Sequence, residues 1–401
     1  MLIGLQTQAQ MSESDFISST AFRKNICNLP PNPGAEMLRY GWRRPDILSL
    51  GQGEGSSITP DIIIDTAHDM MKQGKTFYAP VLGFPEVRTE LSNYYQRIYN
   101  LDIASDRLFL TGSGTTAMHL ALTSILDEGD DVVAITPIWK NLLGAIDIAQ
   151  AHTTQVPLDQ KDGEWSLDLD KLFASVTPKT KAILVVTPSN PCGWVMSPDE
   201  IKAVLDFARE RDLWIIADEV YGRIVFEGEH APSFLEYAQP DDKLYVVNSF
   251  SKAYAMTGWR LGWLVGPAYA EEVIRDIALY DNMGPASFIQ LAGAAALKHG
   301  EPFIHEQRQL WKRNLDTLDD FFSQYDTIEF HRPQATFYAF FKHLQEKDCI
   351  QFGKRLIDEG GLSLAPGCAF GICSQSFMRL CFAINEEKLD QALQRLAKVL
   401  D

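Results

Sequence analysis

The sequence is poor in cysteine, in basic side chains and in long apolar segments. Six cysteines in 401 residues are too few for a disulfide framework, and they predict a reducing, cytoplasmic environment. No apolar run reaches the ~18 residues of a membrane span, so we expect no membrane partner. The first residues also lack a basic segment followed by an apolar one, and we therefore expect no secretory signal.

Acidic residues outnumber basic ones. Lys and Arg number 36 against 53 Asp and Glu, which gives a formal net charge of −17. A nucleic-acid-binding surface needs a basic face, so this balance argues against a nucleic-acid partner. It does not argue against a local anion site, because a few well-placed arginines outweigh the mean charge. The eight histidines are scattered, and Cys368 and Cys373 have no partner at metal-ligand spacing, so we expect no metal site.

From about residue 60 to residue 300 the chain alternates helical and strand patterns. Short apolar runs without alternation, typical of strands buried on both faces, recur as RLFLTG, DVVAIT, AILVVT, LWIIAD, LYVVNS and LGWLVG. Helical segments separate several of them, and one begins with a predicted capping box of Ser197 and Glu200. The pattern predicts an α/β domain with a mostly parallel, helix-covered sheet.

The pattern changes after about residue 300. A long helical stretch is followed by the shorter strands TFYAFF and FMRLCFA and by a terminal amphipathic helix, EEKLDQALQRLAKVL. The length alone favours two or three domains. We therefore predict a large α/β domain over residues 50–300. Residues 1–49 and 301–401 would form an N-terminal arm and a smaller α+β domain.

The candidate functional residues follow strand ends, where open α/β sheets place their sites. Lys252 comes just after LYVVNS, and burial there would lower its pKa and free the amine to attack a carbonyl. A solvated loop position is the alternative for this lysine. Ser249 before it and Arg260 after it would add donors for an oxyanion such as phosphate.

Two further segments are candidates for anion binding. Ser113, Gly114 and Thr115 precede a predicted helix, where backbone N–H groups and hydroxyls form an anion cradle. The alternative for them is an ordinary helix cap. Arg379 lies in the apolar strand FMRLCFA, where a buried guanidinium requires either an anionic ligand or a salt bridge to Asp or Glu.

Three more strand ends carry an acid, an amide and an aromatic ring. Asp218 ends LWIIAD, where a buried carboxylate requires a cation unless it caps a helix. Asn190 follows AILVVT in an Asn-Pro turn, and its amide can donate to a phenolate or a carboxylate. Trp139 follows DVVAIT and offers a flat face for stacking, with a place in the core as the alternative.

The segment SFSK, followed eight residues after its lysine by the arginine of GWRLGW, resembles the lysine motif of the class I/II aminotransferases in the aspartate aminotransferase family. The likeness runs in order from about Leu50 to the C-terminus, although Cys192 stands where the family usually has threonine. It implies the fold type I of pyridoxal 5′-phosphate (PLP)-dependent transferases and a homodimer. It also implies transfer of an amino group between an L-amino acid and a 2-oxo acid by a ping-pong mechanism.

The resemblance implies a role for each candidate residue. Lys252 would be the Schiff-base lysine and would move the substrate proton, with Asp218 at the pyridine nitrogen and Tyr221 at the ring oxygen. Trp139 would stack on the ring. The cofactor phosphate would be held by Ser113, Gly114, Thr115, Ser249 and Arg260, together with Tyr78 of the partner subunit. The substrate would contact Gly53, Asn190 and Arg379.

The motifs leave other functions open. A C–S β-lyase or a cyclopropane-forming synthase on the same scaffold would share nearly all of them, because these enzymes use the same cofactor chemistry. A noncatalytic regulator of this fold would carry an added basic DNA-binding domain, for which the 49-residue arm is too short. The substrate also stays open between acidic, apolar and aromatic amino acids.

Overall fold

The computed structural model describes residues 22–161 and 163–400, so residues 1–21 of the predicted arm lie outside the described part. Single helical turns lie at Ser105–Arg107, Phe234–Glu236, Thr257–Trp259, Ala268–Ala270 and Gly367–Phe370. The α-helices span Lys24–Cys27, Pro33–Gly41, Asp61–Lys72, Pro85–Tyr99, Gly114–Ile125, Lys140–Ile148, Leu169–Ala174, Pro198–Arg211, Phe250–Ala253, Glu271–Asp281, Ser287–His299, Glu301–Phe322, Cys349–Asp358 and Glu386–Leu400.

The strands are short, as the sequence predicts. In chain order they are β1 (Leu48–Ser49), β2 (Leu108–Thr111), β3 (Asp131–Thr136), β4 (His152–Pro157), β5 (Asp159–Lys161), β6 (Glu164–Ser166), β7 (Thr180–Val186), β8 (Trp214–Asp218), β9 (Leu244–Ser249), β10 (Gly262–Val265), β11 (Ile328–Phe330), β12 (Tyr338–His343), β13 (Leu362–Ser363), β14 (Ala365–Pro366) and β15 (Phe377–Cys381). The six apolar runs of the central region all form strands of one sheet, which confirms that part of the prediction.

The central sheet has the strand order β2-β10-β9-β8-β7-β3-β4. Strands β9, β8, β7, β3 and β4 pair in parallel, and β10 runs antiparallel to both of its neighbours. Strand β2 therefore points in the same direction as the parallel strands. As a result the carboxyl ends of β2, β3, β7, β8 and β9 meet at one edge of the sheet.

Helices cover both faces of this sheet because its strands are apolar on both sides. Successive residues of β3 enter different cores: Val133 packs with the helices Asp61–Lys72, Pro85–Tyr99 and Pro198–Arg211, whereas Val132 packs with Gly114–Ile125 and Glu271–Asp281. The predicted capping box also forms, since Ser197 Oγ accepts from Glu200 N at 3.3 Å and Glu200 Oε2 accepts from Ser197 N at 2.7 Å. The predicted α/β architecture is confirmed.

A second core lies around a smaller, antiparallel sheet with the order β11-β12-β15-β14. The helices Glu301–Phe322, Cys349–Asp358 and Glu386–Leu400 pack on it. The end of the arm joins this unit, because β1 pairs in parallel with β13. We propose that residues 50–300 form the large domain and that residues 22–49 belong with residues 301–400. Within the described ranges, no helix is both long and apolar enough to cross a membrane.

One buried ion pair links the two units. Arg223 lies shortly after β8 and is 6% exposed, and it makes a bidentate contact with Glu301 at the start of the long helix Glu301–Phe322. The two N–O distances are 2.8 and 2.6 Å. Such planar pairs fix orientation, and removing one partner leaves the other charge without compensation.

We expect Arg223→Met to lower the free energy of unfolding by about 2 kcal/mol, below the ~3–5 kcal/mol of a fully buried pair. The smaller effect follows because the Glu301 side chain is 34% exposed. The matched control is Arg313→Met, whose partner Glu386 is 61% exposed and whose loss should cost less than about 1 kcal/mol. Urea unfolding of the three proteins measures the difference, and equal losses for both variants would contradict the assignment.

Candidate active site

Two adjoining cavities open at the edge of the sheet where the strand ends meet. The inner cavity measures about 200 Å³. Its walls include every candidate residue except Ser113 and Tyr78, namely Gly53, Gly114, Thr115, Trp139, Asn190, Asp218, Tyr221, Ser249, Lys252, Arg260 and Arg379. The outer cavity measures about 430 Å³ and continues between the large domain, the segment 32–38 and the small domain. The structure thus brings together residues from seven separate parts of the chain.

Lys252 lines both cavities and belongs to the short helix Phe250–Ala253 that follows β9. Ser249 caps this helix, with its Oγ accepting from Ser251 N at 3.1 Å. Lys252 Nζ donates to the carbonyl of Gly53 and lies 5.8 Å from the centre of the Tyr221 ring. Burial, and secondarily the charge of Arg379, lower the pKa of Lys252 to about 8. The structure therefore supports the buried lysine rather than the solvated alternative.

Asp218 ends β8 and is 7% exposed. Its Oδ1 accepts from Val220 N at 3.2 Å. Burial raises the pKa of Asp218 to about 6, against the opposing effects of the Val220 N–H and the Lys252 charge. A cation brought next to this carboxylate would keep it ionised, so Asp218 is suited to a positively charged ligand.

Arg379 enters the site from β15 of the small sheet and is 5% exposed. Its Nη1 donates to Asn190 Oδ1 at 2.8 Å and its Nη2 to the Gly51 carbonyl at 2.6 Å. Its Nε is buried and has no hydrogen-bond partner. Among the described residues no Asp or Glu forms a salt bridge with Arg379, so the salt-bridge alternative is wrong. The unpartnered Nε leaves the guanidinium able to bind an incoming carboxylate.

Gly114 and Thr115 start the helix Gly114–Ile125 at the other end of the inner cavity. Gly262 of β10 lies against this helix start, and a Cβ there would come within 2.6 Å of Gly114 N, so only glycine permits the approach. Arg260 lines the same end of the cavity, and its Nη1 donates to the Thr257 carbonyl at 2.6 Å. Helix-start amides and a guanidinium together favour an anion at this end.

Two candidate residues lie outside the cavity walls. Ser113 is buried, and its Oγ accepts from Thr116 N at 3.0 Å, so its hydroxyl serves the helix cap that was the alternative interpretation. The Tyr78 side chain is 85% exposed and does not reach the site of its own chain. Ser113 directly precedes Gly114, whereas Tyr78 belongs to a distant segment, and neither residue lines the cavity in this chain.

Two residues that sequence reasoning missed also line the site. Tyr338 of β12 is fully buried, and its hydroxyl lies 2.7 Å from the Tyr221 hydroxyl. The Arg379 guanidinium lies over the Tyr338 ring, 4.3 Å from its centre. Lys140 follows Trp139 and lines the outer cavity. The sequence could have indicated Lys140, because it directly follows the candidate stacking residue Trp139. It gave no indication of Tyr338, which lies in the apolar strand TFYAFF.

The described part of the chain contains no cluster of possible metal ligands. No group of three or more His, Cys, Asp or Glu side chains there is arranged to hold a metal ion. The charged groups of the cavity are Lys252, Asp218, Arg260 and Arg379, with Lys140 and Glu54 at the outer opening. Their arrangement suits an organic ligand with an anionic group at one end and a cationic group at the other.

Comparison with known proteins supports this interpretation of the site. The family model described as aminotransferase class I and II matches residues 45–396. The chain is 30% identical to a probable aspartate aminotransferase of Methanocaldococcus jannaschii, over 93% of this chain and 98% of that protein. It is also 30% identical to aromatic-amino-acid aminotransferase 2 of Thermococcus litoralis, over 88% of this chain and 92% of that protein.

Solved structures agree with the sequence relatives. A single mutant of Thermus thermophilus aspartate aminotransferase superposes with a TM-score of 0.88 at 28% identity, covering 95% of this chain and 100% of that one. The names of these proteins favour the transferase over the lyase and the regulator that the motifs left open. The chain therefore belongs to the class I and II aminotransferases and has their fold type I architecture.

Proposed function

We propose that this aminotransferase binds PLP in the inner cavity and moves an amino group between an L-amino acid and a 2-oxo acid. The observation that carries the proposal is the buried Lys252 amine, whose pKa of about 8 leaves a substantial neutral fraction near physiological pH. A neutral amine is the form that attacks an aldehyde. Both substrates would use the same cavity in turn, which gives ping-pong kinetics.

The residues of the inner cavity fit PLP at both of its ends. The amides of Gly114 and Thr115, with the Arg260 guanidinium and the hydroxyls of Ser249 and Ser251, suit the phosphate. At the other end, burial raises the pKa of Asp218, and a protonated pyridine nitrogen would be the cation that this carboxylate lacks. Bound PLP supplies an aldehyde and an electron-withdrawing ring that stabilises a carbanion at the substrate Cα.

The side chains around this position would hold and orient the cofactor. Lys252 would hold it through Nζ. Trp139 lines the inner cavity and would stack on the ring. Tyr221 and Asn190 would donate to the ring oxygen, and their own contact of 3.4 Å keeps both donors on one side of the cavity.

Lys252 and Arg379 would act on the substrate. Arg379, with its unpartnered Nε, would bind the α-carboxylate, while its bonds to Asn190 and Gly51 fix the plane of the guanidinium. Gly53 has its carbonyl against Lys252 Nζ, so the substrate would pass close to this backbone. Lys252 Nζ would then take the proton from the substrate Cα, since a base with a pKa near the working pH transfers protons well.

We propose acidic amino acids as the preferred donors, in keeping with the aspartate aminotransferases among the relatives. Lys140 supports this choice. Its half-buried amine lines the outer cavity beside Trp139, and burial lowers its pKa, so a carboxylate next to it would stabilise the charged form. Glu54 lines the same cavity, but it is exposed and already accepts from Thr257 Oγ1 at 2.9 Å.

We further propose that the enzyme is a homodimer. Large apolar side chains remain exposed near the anion end of the site, among them Phe77 (82%), Tyr78 (85%) and Tyr280 (88%). Such a group of side chains is typical of a protein interface. Tyr78 would then reach the phosphate site of the partner subunit. The buried thiols of Cys192, Cys349 and Cys381 support a location in the reducing cytoplasm.

Lys252→Ala tests the proposed activity. We expect kcat to fall at least about 10³-fold, because the variant loses the base that moves the Cα proton. The visible absorbance of the covalently held cofactor should disappear with it. Lys202→Ala, on an exposed helix face, is the control and should keep both properties. Turnover at the wild-type rate in Lys252→Ala would contradict the mechanism.

Lys140→Gln tests the proposed substrate class. The kcat/KM for aspartate should fall about tenfold, because the free energy of one charge-assisted hydrogen bond corresponds to about that factor. The kcat/KM for alanine should stay nearly unchanged. Glu54→Gln is the matched control, because it removes the opposite charge from the same cavity and should not lower kcat/KM for aspartate. Steady-state kinetics with both donors gives the comparison. Equal losses for aspartate and alanine would show that Lys140 does not select the substrate.

A further inference from the structure

Two cysteines lie together next to the turn whose Ala369 and Phe370 line the outer cavity, and they take no part in the proposed reaction. Cys349 is the first residue of the helix Cys349–Asp358 and is 2% exposed. Cys368 is partly exposed and lies in the helical turn Gly367–Phe370. Cys368 N donates to Cys349 Sγ at 3.4 Å, and the two thiols are hydrogen-bonded to each other. Residues 19 positions apart thus place two sulfur atoms in contact.

The surroundings favour a thiolate at one member of this pair. The hydrogen bond from the Cys368 thiol lowers the pKa of Cys349, and the Cys368 N–H acts in the same direction. Cys349 is the first residue of a ten-residue helix, but the Asp348 carboxylate already accepts from Ile350 N and Gln351 N there. Burial and the Asp348 charge act against the lowered pKa of Cys349. The hydrogen bond with Cys349 and, secondly, burial raise the pKa of Cys368.

We propose that Cys349 and Cys368 form a reversible disulfide when the enzyme meets a hydroperoxide. The Cys349 thiolate attacks the terminal oxygen of the hydroperoxide and becomes a sulfenic acid. The O–O bond breaks, and the leaving alkoxide or hydroxide takes up the proton that Cys349 gave up, as an alcohol or water. The thiolate of the other cysteine attacks the sulfenic sulfur, and the S–S bond forms as hydroxide leaves and takes up the remaining thiol proton as water. The partly exposed side of the pair at Cys368 gives a small hydroperoxide access to Cys349, and Cys368 supplies the second sulfur.

The disulfide would act on the active site through the turn that carries Cys368. Phe370 belongs to the same turn, and its ring lies 4.9 Å from the Arg379 guanidinium. The Phe370 carbonyl accepts from Ile138 N at 2.8 Å, directly before Trp139. A disulfide requires an S–S distance of about 2.05 Å, and we infer that closing the pair to this length shifts the turn. The shift would displace the residues proposed to bind the substrate carboxylate and the ring.

The disulfide itself is tested by peptide mapping of the purified holoenzyme after treatment with hydrogen peroxide. Trypsin releases residues 348–354 with Cys349 and residues 356–379 with both Cys368 and Cys373. We expect these two peptides to be joined without reduction and released by dithiothreitol. The Cys373→Ser variant is the control and should give the same linkage, because only Cys368 then remains in the larger peptide. A linkage that is lost in Cys373→Ser, or unlinked peptides with sulfinic acid, would overturn the proposal.

The effect on turnover rests on the proposed function, whereas the peptide linkage does not. Oxidation should lower kcat/KM for the amino donor by up to about 10²-fold, as expected for a displacement of about 1 Å at a binding site, and dithiothreitol should restore it. Cys349→Ser and Cys368→Ser should keep their kcat/KM through the same treatment. A linked enzyme with unchanged kcat/KM would overturn the regulatory role. An enzyme inactive before oxidation would instead count against the proposed function and leave the linkage measurable.

Discussion

The site depends on two cationic side chains in one cavity, with Arg379 buried and Lys252 partly buried. Lys252 and Arg379 line the same walls, and among the described residues neither forms a salt bridge with Asp or Glu. Burial first, and the charge of Arg379 second, disfavour the protonated form of Lys252. The repulsion is relieved when the amine loses its proton, whereas the guanidinium stays charged. The neutral nucleophile and the anion-binding arginine are therefore two consequences of the same constraint.

The fold provides this constraint by bringing one cation from each unit. Lys252 follows β9 at the carboxyl edge of the central sheet, and Arg379 comes from β15 of the small sheet. The two units meet through the Arg223–Glu301 ion pair. Any movement of the small unit changes the distance between the two cations. The Cys349–Cys368 pair lies in that unit, in contact with the turn that carries Phe370. It is therefore placed to alter the geometry of Arg379 without entering the cavity.

Sequence reasoning predicts those features that local chemistry determines. Asp218, Asn190, Trp139 and Lys252 follow buried strands, and parallel strands bring their carboxyl ends to one edge, so their convergence follows from the pattern. Tyr338 could not be found in this way, because an apolar strand gives no sign of which side chain will meet Tyr221. Ser113 also matched its motif, but a helix cap and an anion site use the same residue types. The net charge of −17 likewise gives no indication of a local cavity lined by Arg260 and Arg379.

The most direct test of this account is the pKa of Lys252 in the enzyme freed of cofactor. Competitive labelling with an amine-reactive reagent over a range of pH, read by mass spectrometry of the Lys252 peptide, gives that value with exposed lysines as internal references. Labelling should reach half of its maximum near pH 8 and at a higher pH in Arg379→Ala, where the repelling charge is gone. A midpoint at the ordinary lysine value of 10.5, unchanged by Arg379→Ala, would contradict the central role of the two cations in one cavity.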